Sequence, residues 1–117
     1  MPENTVDRTK TAAYLLWEVT GDDHALNLWR CAEDIANYLA RSGGLSAEDV
    51  DAILRMPKQS FEYISFVRHI AFRLFLYTKR SDPAINWFDA EALLDNREWL
   101  DAVTGLALIY TEQKTVD

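Results

Sequence analysis

The sequence predicts an all-α protein: a compact single-domain bundle of five to six helices with a central apolar helix at about 58–79. Apolar residues recur three and four positions apart over long segments, which is the helical period. Only four glycines and three prolines interrupt the 117 residues, and no alternating run is long enough for a strand. The length fits one domain, so we expect residues 1–117 to fold together, with 1–4 and 112–117 frayed.

Glycine and acidic residues mark the boundary between the first two helices. Apolar residues at helical spacing predict a first helix from about Thr5 to Thr20. Gly21 follows at the position where a left-handed cap residue ends a helix. Asp22 or Asp23 is well suited to cap a second helix, whose apolar face is the clearest in the chain.

Short polar segments separate the second, third and fourth helices. We expect Gly43 and Gly44 to end the second helix. Ser46 is a favoured N-cap residue, and Asp49 at the third helical position predicts a variant of the capping box. Pro57 should end this short third helix, because proline interrupts the helical hydrogen bonds.

The fourth helix, at about 58–79, is apolar on nearly all sides. This pattern is typical of a helix at the centre of a bundle, or of one face of an oligomer. Asp82 as an N-cap, followed by Pro83, predicts a fifth segment that is one bent helix or two short ones. Asn96 is suited to cap a last helix, which we expect to fray after Thr111.

Charge is distributed unevenly along the chain, whose net charge is −7. Residues 1–54 carry four basic and ten acidic side chains (−6), and residues 81–117 carry two and eight (−6). Residues 55–80 carry six basic side chains and one acidic (+5). The basic segment either pairs with acidic residues on the neighbouring helices of the same chain, or presents a positively charged surface to a partner. The overall negative charge argues against nucleic-acid binding.

Patterns typical of catalytic or metal sites are absent from the sequence. The two histidines, His24 and His69, lack the neighbouring ligands that a transition-metal site requires, so we expect no metal and no cofactor. Cys31, the only cysteine, cannot form an internal disulfide and lies beside an apolar helix face. The serines fit no nucleophile motif, which favours a protein that is not an enzyme.

Three basic residues of the fourth helix are candidates for ligand binding. Arg68, His69 and Arg73 could line an interhelical pocket, in which the guanidinium groups would bind a phosphate or a carboxylate. The alternative is structural, since each of these side chains can instead pair with an acidic residue on a neighbouring helix.

Surplus apolar surface on the fourth helix favours an interaction protein. A chain of this length has difficulty burying so many large apolar side chains, and aromatic residues are prominent in protein interfaces. We therefore expect a non-enzymatic module that self-associates, for example as a homodimer, or binds a protein partner. The candidate contact residues are Phe61, Tyr63, Phe66, Tyr77, Trp87 and Phe88.

Two other functions compete with this one. The first is a small-ligand-binding protein or enzyme with a pocket around His69 and Arg73. The second is an acidic inhibitor or antitoxin-like regulator of a basic partner, whose association would be fast and sensitive to salt. The N-terminus lacks the features of a signal peptide and no apolar run of about 18 residues occurs, so we expect a cytoplasmic protein without a membrane span.

Overall fold

A computed structural model describes the backbone of residues 2–43 and 45–115, and the side chains of residues 5–43 and 45–112. These residues form six helices and no strand, as predicted. The fifth segment is a single helix. The helices are α1 (Pro2–Thr20), α2 (Ala25–Arg41), α3 (Ala47–Leu54), α4 (Phe61–Thr78), α5 (Pro83–Asp95) and α6 (Arg97–Thr115). The radius of gyration, 13.5 Å, is that of a compact domain of this length.

Side-chain caps begin three of the helices as the sequence predicts. The Ser46 hydroxyl accepts a hydrogen bond from the Asp49 backbone N–H at 3.2 Å, and the Asp49 carboxylate accepts one from the Ser46 N–H at 2.9 Å. This is the predicted capping box of α3. The Asp82 carboxylate accepts from the Ala84 N–H at 2.9 Å to begin α5. Asn96 accepts from the third residue of α6 at 3.2 Å.

The start of α2 differs from the prediction. His24, and neither of the two aspartates before it, occupies the N-cap position, and its side chain makes no capping hydrogen bond. The Asp22 carboxylate instead accepts a hydrogen bond from the His24 backbone N–H at 2.9 Å. Because Asp22 closes the turn that precedes the helix, the prediction that Asp22 or Asp23 caps α2 was wrong.

Glycines end the first two helices. Gly21 has φ 74° and Gly43 has φ 93°, the left-handed conformation expected after a helix C-terminus. Gly44, predicted to share this role, lies outside the described residues. The backbone is helical at 2–4 and at 112–115, so α1 and α6 are longer than the sequence predicts.

Helix α4 is shorter than the predicted range of about 58–79. It begins after Ser60, whose hydroxyl accepts a hydrogen bond from the Tyr63 N–H at 3.3 Å. It ends before Lys79, which has φ 62° and donates its N–H to the Phe75 carbonyl at 2.9 Å. A lysine at this left-handed cap position is strained, because its Cβ crowds the backbone.

All six helices contribute to the core. Helix α2 packs against α1, α4 and α6, and α4 packs against α2, α3 and α5. Each helix supplies at least one fully buried large side chain, for example Leu16, Ile35, Val50, Ile70, Leu93 and Trp99. The apolar fourth helix therefore contributes one face to the core, and its opposite face lies on the surface. Over the described residues, no helix has the length and apolar character needed to span a membrane.

Candidate functional site

The outer face of α4 exposes a row of large apolar side chains. The exposed fraction is 80% for Phe61, 53% for Phe72 and 42% for both Phe75 and Leu76. At 3.6 residues per turn, these four positions share the face opposite the core. The rings of Phe72 and Phe75 lie 6.5 Å apart, centroid to centroid. We call these four residues the α4 stripe.

Two cations lie close to the stripe in the sequence: Arg68 is on the same face of α4, and Lys79 is the cap residue that follows the helix. Both are exposed, and neither side chain makes a hydrogen bond or an ion pair with any described residue. Along the chain, Arg68 precedes Phe72, Phe75 and Leu76, and Lys79 follows them. By contrast, the Arg80 guanidinium pairs with the Asp89 carboxylate at 3.2 Å. Arg68 and Lys79 are therefore available to groups outside the chain.

A groove of about 400 Å³ separates the outer face of α4 from the start of α5. Phe72 and Phe75 form one wall, and the half-buried Trp87 belongs to the other. The buried Asn86 also lines the groove and donates its side-chain N–H to the Arg80 carbonyl at 3.0 Å. Its side-chain oxygen is buried and accepts no hydrogen bond from the described residues. The accessible lining of the groove is thus mainly apolar.

The three predicted ligand-binding residues do not come together. Arg68 lines the groove. His69 and Arg73 face α2, where the His69 ring stacks on Tyr38 with centroids 4.9 Å apart. The Arg73 guanidinium carbon lies 4.5 Å from the Tyr38 ring centroid, and Arg73 Nε lies 3.6 Å from the Asp34 carboxylate. Arg73 therefore has the structural role that the sequence left open as the alternative.

Two of the predicted interface residues belong to the core. Tyr63 is 5% exposed and Phe66 is 4% exposed. The Tyr63 hydroxyl donates to the Glu91 carboxylate at 2.5 Å. Burial, together with this hydrogen bond, raises the pKa of Tyr63 to about 12. Since both side chains lie on the inward face of α4, this placement corrects the expectation that they contact a partner.

The other predicted interface residues differ in exposure. Phe61 and Phe88 are largely exposed. Trp87 and Tyr77 are half-buried and pack against the core. Only Phe61 of this set lies on the α4 stripe.

Three exposed residues of the stripe, Phe72, Phe75 and Leu76, are absent from the contact residues that the sequence predicts. The signal that identifies them is the pair of cations, Arg68 and Lys79, because charged residues mark the side of a helix that faces water. Apolar residues on that same side are then expected at the surface.

Groups that could support other chemistry are not arranged for it. No set of three or more His, Cys, Asp or Glu side chains within the described ranges is placed to hold a metal ion. Cys31 is buried, and burial raises the pKa of its thiol to about 12. The nucleophilic thiolate form is therefore disfavoured at neutral pH.

No protein-family model, curated protein or solved structure matches this chain. Its function is therefore inferred from the surfaces of the molecule itself.

Proposed function

We propose that this protein is a non-enzymatic, self-associating helical module, and that copies of the chain join through the outer face of α4. The supporting observation is the α4 stripe. Single exposed apolar residues are common on protein surfaces, but a row of them bordered by charged side chains is typical of an interface. Aromatic residues and arginine, both found here, are enriched in such interfaces.

The apolar surface of the stripe sets the scale of the association. Full burial of a Phe or Leu side chain stabilises by about 1.5–3 kcal/mol, so covering a half-exposed one contributes about 1 kcal/mol. Four such side chains and their counterparts on the partner contribute about 8 kcal/mol in total, and association costs at least about 4 kcal/mol. The remaining free energy of at most about 4 kcal/mol corresponds to a Kd of about 1 mM, so we expect weak, reversible association.

Polar substitutions on the stripe test this proposal. The double variant Phe72→Ser and Phe75→Ser removes two exposed rings, and the matched control is Leu108→Ser, an exposed apolar side chain on α6. Sedimentation velocity is expected to show loss of the associated species in the double variant and its retention in the control. Because about half of each ring is buried, urea unfolding should shift by about 1 kcal/mol per substitution, and by a similar amount in the half-exposed control, without loss of the fold. Unchanged association in the double variant would refute the proposal.

The groove supports a second candidate function, the binding of a small amphiphilic molecule. Its apolar walls fit a ring or an alkyl chain, and Arg68 can bind a carboxylate. Native mass spectrometry of protein purified gently from its host tests this candidate. An added mass of a few hundred daltons that Arg68→Gln removes and Lys79→Gln retains would support it. A bare chain mass would count against it.

A further inference from the structure

We propose that the surface that pairs with the α4 stripe is the outer face of α1 on a second copy. Copies would then join head to tail, through two different faces. This inference rests on the proposed self-association and names the second surface that it uses.

Helix α1 carries its own exposed apolar row. Val6, Tyr14 and Trp17 are 44–55% exposed and share one face of the helix. The rings of Tyr14 and Trp17 lie 5.7 Å apart, centroid to centroid. Lys10 also lies on this face and is exposed. The α1 row is thus comparable in length and character to the α4 stripe.

The charges on the two faces match in spacing and differ in sign. Asp7 and Glu18 are exposed along one edge of the α1 row, 11 residues apart, with Lys10 between them in the sequence. The Glu18 carboxylate accepts a hydrogen bond from the Tyr14 hydroxyl at 3.3 Å and remains exposed. Arg68, on the face of the α4 stripe, and Lys79, the cap residue that follows the helix, are also 11 residues apart. At a rise of 1.5 Å per residue, the Cα atoms of each pair are about 16 Å apart along the helix axis. Two helices lying side by side can therefore place a carboxylate against a cation at both ends.

Pairing of identical faces lacks this match. An antiparallel pair of α4 helices centred between Phe72 and Phe75 places Arg68 opposite Lys79 of the second copy. An antiparallel pair of α1 helices centred between their apolar residues places Asp7 opposite Glu18 in the same way. Like charges facing each other oppose association, whereas opposite charges steer it. The head-to-tail arrangement alone among these three is complementary in both apolar surface and charge.

An interface between two different faces has a consequence for the size of the assembly. Each copy that binds through α1 leaves its α4 stripe free for the next copy, so the assembly grows into a ring or an open chain. We therefore expect species larger than a dimer as the concentration rises, and weaker association at high salt.

Charge reversal distinguishes the arrangements. One variant carries Arg68→Glu with Lys79→Glu, and the other carries Asp7→Lys with Glu18→Lys. Each variant alone is expected to associate at least tenfold more weakly than the unmodified protein, because both of its faces then have the same sign. An equimolar mixture is expected to recover association, since each variant complements the other.

The controls and the contrary results separate this inference from the proposed function. Asp23→Lys with Asp95→Lys, two exposed acidic residues elsewhere, gives the same change in net charge and should leave association unaltered. Circular dichroism shows whether the variant with Asp7→Lys and Glu18→Lys is folded. If it is unfolded, the variant with Asp7→Asn and Glu18→Gln takes its place and is expected to weaken association. Unimpaired association of the α1 variant would overturn the head-to-tail arrangement while leaving self-association through α4 intact. An unmodified protein that never associates would overturn both.

Discussion

Replacement of Arg73 with alanine tests whether this cation stabilises the fold or serves a ligand. Its side chain is 14% exposed, and Nε lies 3.6 Å from the Asp34 carboxylate. The guanidinium covers the Tyr38 ring, and Nη1 donates to the His69 carbonyl at 3.0 Å. The contacts with Asp34 and Tyr38 join α4 to α2, so their loss is expected to destabilise the native state.

The expected size of the effect follows from three contributions. A partly buried cation–π contact is worth about 1 kcal/mol. The ion pair with Asp34, which is itself 26% exposed, adds about 0.5–1 kcal/mol. Packing of the aliphatic stem of Arg73 adds about 1 kcal/mol. Arg73→Ala should therefore lower the free energy of unfolding by about 2–3 kcal/mol, which corresponds to a fall in Tm of about 10 °C.

Urea unfolding, followed by circular dichroism, measures the change. Arg73→Met retains the stem and loses the charge, so about half of the destabilisation is expected. Arg68→Ala is the matched control, because Arg68 is exposed and has no described partner, and its effect should stay within about 0.5 kcal/mol. If Arg73→Ala is as stable as the unmodified protein, the structural role assigned to Arg73 is refuted.

Three further changes probe the cap of α4, a buried hydrogen bond and a buried thiol. Lys79→Gly is expected to raise the free energy of unfolding by about 0.5–1 kcal/mol, because glycine adopts φ 62° without strain; lower stability in urea would contradict this. Tyr63→Phe should cost about 1 kcal/mol, since it removes the hydrogen bond to Glu91, and equal urea midpoints for the two proteins would argue against that contribution. Burial raises the pKa of Cys31 from 9.0 to about 12, so the thiol stays neutral in the native state while it ionises in the unfolded chain. The stability that depends on keeping this thiol neutral is complete below pH 9.0. It is lost between pH 9.0 and about 12, by up to about 1.4 kcal/mol per pH unit. Cys31→Ala should reduce this loss when urea unfolding is compared at about pH 8 and about pH 10.5, and an identical pH dependence in the variant would exclude a role for the thiol.

The helical fold was predictable because its signals are local. Ser46 with Asp49, and Asp82 with Pro83, place polar atoms next to the backbone groups that a helix start leaves unpaired. Gly21 likewise supplies a conformation that few other residues adopt easily. Such signals depend on neighbours within about four residues, so no tertiary structure is needed to recognise them.

The candidate site was less predictable because it depends on which face of α4 turns inward. Apolar residues occur on nearly all sides of this helix, so the helical period does not separate Phe66, which is buried, from Phe72, which is exposed. The role of Arg73 depends on Tyr38 and Asp34, which α2 brings to it from more than 30 residues away in the sequence.

Sedimentation equilibrium of the unmodified protein tests the proposed association through the α4 stripe most directly. The chain mass is 13.5 kDa. From about 10 µM to about 2 mM, the weight-average mass is expected to rise from the chain mass to about one and a half times that value or more, as association with a Kd of about 1 mM requires. A mass that stays at 13.5 kDa across the whole range would contradict the proposed self-association.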